Sequence, residues 1–304
     1  MVRGMTSSVR LLGWVAAAAF AVTAAAQPSG VGQARLAAAS AVPTDHYGPP
    51  ACTANAKPPA KSDALERART EQKDAAENSR IVLSDEPLAN FGVERYKLVE
   101  YGECTGEGGC YWADLDAQYR RAEAELKREI ASRPASDRQA GEKLAVVMDI
   151  DETTMTNWCE MRREDFGYVW SLYRPYELTG TAVAIPGALR LFNEAREAGV
   201  AVFFITGRPG KGDARAQTAD ASDETTATAR NLEAQGFRGY TGLRLRNGDE
   251  RQMATIAYKS QERQKIVADG YRIVMSLGDQ WSDLLGDPQA DVSVKLPNPF
   301  YFIP

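Results

Sequence analysis

The chain is predicted to fold as an α/β domain, an open parallel sheet with helices on both faces. Three observations lead there. The apolar runs LAVVMDI, AVFFIT and YRIVMSL have the length and composition of fully buried strands. Helical stretches lie between them, closed by Gly199, Gly236 and Gly270. The 304 residues, 44% apolar and 25% charged, are an ordinary globular mixture with enough apolar surface for a sizeable core.

In chain order, the first element reads as an export signal, residues 1–26. Arg3 and Arg10 give a positive start, Leu11 to Val22 an apolar stretch, and Ala24-Ala25-Ala26 a small-residue cleavage pattern. The apolar stretch is short for a membrane span, so no stable membrane insertion is expected after cleavage. Residues 27–60 are rich in Ala, Pro and Gly and read as a flexible tail. Residues 61–142 read as a helical extension. Ser62 to about Ser79 is rich in helix formers, and Tyr111 to Ser132 carries the stripe Leu115, Tyr119, Ala122, Leu126 and Ile130. The main domain is expected at 143–304. Its strands are Leu144–Ile150, Ala201–Thr206 and Tyr271–Leu277, with shorter ones at Gly242–Arg246 and Asp291–Lys295. Its helices open at Pro186, at Ser222 and at Ile256. The insert 154–184 holds Trp158, Phe166, Tyr168, Trp170, Tyr173 and Tyr176 and reads as a small cap. Those aromatics either form a local core or stack on a leaving group, and the core reading weighs more.

Charge and composition exclude several classes. Lys plus Arg is 36 against 41 Asp plus Glu, a net charge of −5, which argues against a nucleic-acid polymer as partner. A single histidine, His46, leaves no basis for histidine catalysis or a histidine metal site. No glycine-rich fingerprint follows the first strand, which argues against a dehydrogenase. Four cysteines are too few for a disulfide-built fold. Cys104 and Cys110 can pair across TGEGG and leave Cys52 with Cys159, one of three connectivities among which the sequence does not choose.

Ligands of such sheets bind beyond the carboxyl ends of the strands. The first strand ends in Asp149-Ile150-Asp151-Glu152-Thr153, the second in Thr206-Gly207-Arg208-Pro209, the third in Gly278-Asp279-Gln280-Trp281-Ser282-Asp283. Four aspartates on one sheet edge repel one another unless a cation sits among them, and oxygen ligands suit magnesium.

VVMDIDETTMTN, FFITGRP, Lys259 and SLGDQWSDL, in that order, resemble the haloacid dehalogenase (HAD) superfamily. The nearer resemblance is to its secreted acid-phosphatase branch, which includes bacterial non-specific acid phosphatases and plant vegetative storage proteins. It runs from roughly Glu94 onward, and KLPNPFYFIP looks like the ending of bacterial members. The resemblance implies a HAD-like Rossmannoid sheet with a small helical, aromatic cap. It implies Asp149 as nucleophile and Asp151 as general acid and then base, with the Asp151 backbone carbonyl on Mg2+. Thr206 would hold a phosphoryl oxygen and Lys259 would neutralise the phosphoryl group. Asp279 would ligate Mg2+ directly; Asp283 would ligate it directly, through water, or orient Lys259. A small phosphomonoester substrate, nucleoside monophosphates among the candidates, and a homodimer complete the expectation. A storage or binding protein on the same fold and a phosphotransferase are the alternatives. Asn157 receives no role, and Arg208 stays outside the catalytic set.

Overall fold

A computed structural model describes residues 48–52, 63–77, 88–138, 141–210 and 221–303. The export segment, His46 and most of the 27–60 tail lie outside the described residues. The strands are β1 (Lys143–Met148), β2 (Met155–Thr156), β3 (Val183–Ala184), β4 (Ala201–Pro209), β5 (Gly242–Arg246), β6 (Tyr271–Gly278) and β7 (Val292–Lys295). The helices are α1 (Asp63–Glu77), α2 (Phe91–Glu103), α3 (Tyr111–Ala131), α4 (Trp158–Arg163), α5 (Trp170–Thr179), α6 (Pro186–Glu197), α7 (Ala221–Ala234) and α8 (Thr255–Ala268).

Five strands form one parallel sheet in the order β5-β4-β1-β6-β7. β1 is central because it is apolar on both faces. Leu144, Val146 and Met148 enter one core, while Ala145 and Val147 enter the other. On the first face, α3 buries Leu115, Tyr119, Ala122 and Leu126, and α6 buries Ala188, Leu191, Phe192 and Ala195. On the second face, α8 supplies Tyr258 and Ile266. The chain leaves β1 toward β4 on one side and β6 lies on the other, so the crevice at the β1 end is the switch point of the sheet.

The α3–α6 contact depends on Gly187. A Cβ there would meet the Tyr119 Cβ at 2.5 Å and its ring at 2.6 Å. Tyr119 in turn donates its hydroxyl to the Thr153 carbonyl at 2.5 Å, so this contact supports the loop after β1. Gly187→Ala is expected to lower stability by about 1–3 kcal/mol, the usual cost of overpacking. Urea denaturation checks this, and an unchanged midpoint contradicts it.

The insert between β1 and α6 forms the two-stranded antiparallel pair β2-β3 with α4 and α5 between them. Both cysteine pairs form, Cys104 with Cys110 and Cys52 with Cys159, and the second ties residue 52 to α4. α2 falls within the expected helical extension but had no range of its own: its sequence has no sustained apolar stripe, and Gly102, under the Trp158 ring, is its buried residue. β4 runs on to Pro209, because Pro209 pairs with Arg246 of β5 past a register shift. α8 starts at Thr255, one residue before the expected Ile256, which puts Lys259 in its second turn.

Candidate active site

The loop after β1 carries the first two aspartates. Asp149 N donates to Leu277 O of β6 at 3.1 Å, which ties the residue to the sheet. The turn then closes through Thr154 N to Ile150 O and Thr154 Oγ1 to Asp149 O. Glu152 has φ of 54°, a left-handed conformation costly for a residue with a side chain. Its buried carboxylate offsets that cost locally. It accepts from Asn157 N at 2.6 Å, Asn157 Nδ2 at 3.1 Å and Tyr301 Oη at 2.9 Å. Burial and then the nearby Asp151 charge push Glu152 up to about 8.

Lys259 lies between two carboxylates. Its Nζ donates to Asp149 Oδ1 at 2.5 Å and to Asp283 Oδ1. Burial opposes its charge, but Asp149 and Asp283 prevail and raise the ammonium above its ordinary value. Gly278 permits this closeness: a Cβ there would stand 2.1 Å from the Asp283 Cβ. Asp283 Oδ2 also accepts from Gln280 N at 2.8 Å, so the loop after β6 is folded onto its own carboxylate. From α8, the buried Arg263 donates to Asp283 O at 2.8 Å and fixes that loop from beneath.

Asp151 faces a different partner. Arg208 donates Nη2 to Asp151 Oδ1 at 2.7 Å and Nε to Oδ2 at 3.1 Å, a two-point grip. Asn157 Nδ2 adds a bond to Oδ1 at 2.8 Å. Burial works against the charged form, yet Arg208 and Asn157 hold the carboxyl below the usual carboxylate range. Thr206 is buried. Its hydroxyl accepts from Arg208 N at 3.2 Å and lies 3.5 Å from Asp151 Oδ2. The next residue, Gly207, lines the cavity, whereas Thr206 is not among the lining residues.

These groups meet at a cavity of about 400 Å³. Asp149, Asp151, Lys259, Asp279 and Asp283 line its polar end, and Tyr168, Trp170, Tyr173, Phe302 and Ile303 line the apolar remainder. The cap aromatics therefore divide. Trp158 belongs to the core, packed on Trp112 and Phe300, while Tyr168 and Trp170 face the cavity. Sequence reasoning left Arg208 and Asn157 without roles, and the structure places both on Asp151. It missed Thr153, Gln280, Asn298 and Tyr301, whose contacts bridge segments far apart in the chain.

Residues 61–304 match the family described as HAD superfamily, subfamily IIIB (acid phosphatase). The chain belongs to this family. Acid phosphatase 1 of Solanum lycopersicum is 35% identical over 162 residues, 52% of this chain and 58% of that one. The match thus spans little more than half of the tomato protein. A stem 31 kDa glycoprotein of Glycine max is 29% identical over 62% of this chain and 71% of its own. Vegetative storage protein 1 of Arabidopsis thaliana is 30% identical over 52% of this chain and 55% of its own. The solved class C acid phosphatase from Bacillus anthracis overlays with a TM-score of 0.50 at 18% identity, over 69% of this chain and 85% of that one, a likeness of fold.

The donor set of this subfamily IIIB chain fits a hard divalent cation. Oxygens of Asp149, Asp279 and Asp283 all lie within 4.8 Å of one another, and all three residues are buried. Three carboxylates face one lysine. Burial, against the pull of Lys259, drives the Asp149 carboxyl well above the usual range, and Asp283 and Asp279 add to the rise. Burial, then the Asp283 charge, push Asp279 up to about 6. Between the free-aspartate value of about 4 and about 6, the folded chain keeps a proton on Asp279 that the unfolded chain has released. Metal-free stability therefore falls as pH rises through that window. A cation needs the ionised form, so its stabilising effect grows over the same window. Magnesium is expected to raise the melting temperature more near neutral pH than near pH 5. Calorimetry at the two pH values checks this, and an equal or larger rise at the acidic value contradicts it.

Proposed function

We propose that this chain is a magnesium-dependent phosphomonoesterase that works through a phosphorylated Asp149. The observation that carries the reading is the buried group Asp149, Lys259, Asp279 and Asp283 at the polar end of an open cavity. Asp149, Asp279 and Asp283, with the backbone carbonyl of Asp151, are the residues suited to hold the cation. When bound, it supplies charge neutralisation that lets an anionic nucleophile approach an anionic ester.

Asp149 attacks phosphorus, and the phosphorus–oxygen bond to the alcohol breaks. Lys259 offsets negative charge on the transferring group. Gly207, at the cavity wall beside Thr206, leaves room for a phosphoryl oxygen. Asp151 gives the departing alcohol its proton and then takes one from the water that cleaves the acyl phosphate. Against its burial, Arg208 holds Asp151 below the usual carboxylate range, so the protonated acid that the first step needs is populated mainly at low pH. That supports an acidic optimum for the first step. Tyr168, Trp170 and Tyr173 offer faces for an aromatic leaving group, which supports aryl phosphates and nucleoside monophosphates as substrates. Two disulfides support work in an oxidising compartment after export.

Among the described residues no helix is long and apolar enough to cross a membrane. Some relatives carry the name vegetative storage protein, and a storage role is the competing reading. The Asp149–Lys259 pair favours turnover. Phosphate release from a panel of phosphomonoesters, with magnesium and with chelator, tests the proposal. Turnover that drops at least about 100-fold on chelation and returns with magnesium is expected. Turnover untouched by chelation removes the metal from the mechanism, and no turnover on any ester favours storage.

A further inference from the structure

The Asp279 carboxylate is gripped from three segments. Its Oδ2 accepts from Gln280 Nε2 and from Asn298 Nδ2, both at 2.7 Å. Its Oδ1 accepts from Thr153 Oγ1 at 3.0 Å, while that hydroxyl oxygen accepts from Asp279 N at 3.1 Å. Each carboxylate oxygen has two lone-pair sites. Both sites on Oδ2 are taken by amide donors, and among the described residues one site on Oδ1 stays open.

The two amides are built into place. Leu296 N donates to Gly278 O at 2.9 Å, which lays the segment after β7 beside the β6 end. Asn298 Oδ1 accepts from Phe300 N at 2.9 Å, so a turn orients the amide before it reaches Asp279. Gln280 is buried, and its Oε1 accepts from Ile303 N at 3.1 Å, which aims its Nε2 at Asp279. The same few residues after β7 thus hold both donors.

We infer that Asn298 and Gln280 set the cation preference of the site: by filling Oδ2 they leave Asp279 one oxygen to offer. Mg2+ is small, keeps strict six-fold geometry and takes single carboxylate oxygens. Ca2+ is larger, accepts more oxygens and often binds a carboxylate through both. An aspartate with one oxygen withheld favours the smaller ion. This inference rests on the divalent-cation reading above.

Calorimetric titration of the full chain, stripped by chelator and then given Mg2+ or Ca2+ alone, tests it. The native protein is expected to bind Mg2+ more tightly. Asn298→Leu and Gln280→Met each free a lone pair on Oδ2. Each is expected to move the Ca2+/Mg2+ affinity ratio toward Ca2+ by about tenfold or more, in line with the effect of other groups that orient metal ligands. The metal-free melting curve shows whether each variant is folded, and one folded variant suffices. A ratio within twofold of native in a folded variant overturns the inference. So does a native protein that prefers Ca2+, a result that needs no variant. A native protein that binds neither ion fails the cation reading itself and this inference with it, an outcome distinct from an unmoved ratio.

Discussion

Asp149→Asn is expected to cut kcat by at least about ten-thousand-fold on every phosphomonoester, because an amide cannot form the acyl phosphate. The substitution keeps the size of the side chain, so the β1 end and its bond to Leu277 stay in place. It also removes one of the carboxylates that crowd Lys259. Burial drives the Asp149 carboxyl up, which means its charged form costs the metal-free fold. The variant is therefore expected to melt no lower than native without metal while losing turnover. Steady-state rates and a melting curve on the same preparation check both halves. Residual activity within a hundredfold of native would place the nucleophile elsewhere.

Asp151→Asn has the second largest expected effect, and its size depends on the leaving group. Alkyl phosphates need a proton on the departing oxygen, so their rates are expected to fall about 100- to 10,000-fold. An aryl phosphate such as p-nitrophenyl phosphate releases a weakly basic phenolate and loses far less in the first step. The second step still lacks its base. Rapid mixing is then expected to show a burst of p-nitrophenol equal to the enzyme present, followed by slow turnover. Equal losses on alkyl and aryl esters, with no burst, would take the acid–base role from Asp151. Arg208 loses its two-point partner in the same variant, so a melting curve belongs beside the kinetics.

The parts of the site that were legible in the sequence are those that follow from strand ends. Asp149 and Asp279 stand at the ends of apolar runs that read as buried strands, and a parallel sheet brings such ends together. Lys259 was legible through motif order, and it lies in the second turn of α8. The supporting contacts were not legible, because each joins segments whose approach depends on the whole fold. Asn157 reaches Asp151 through the cap, and Arg208 reaches it across the sheet from β4. Asn298 sits in KLPNPF, which reads as an irregular stretch until Leu296 is seen bonded beside β6. α2 was not delimited within the helical extension for a local reason. Its only cue was Asn90, which caps the helix by accepting from Val93 N at 3.3 Å, ahead of a sequence with little to bury.

In the proposed mechanism the phosphoryl group rests on Asp149 between the two steps. This is tested most directly by acid-quenching the enzyme during turnover of a substrate labelled with radioactive phosphorus, then reducing with borohydride and mapping peptides. Native protein is expected to carry acid-stable label on the chain and homoserine at position 149 after reduction, both lost in Asp149→Asn. Turnover with no label on the chain at any quench time, or label mapped to another residue, would contradict it.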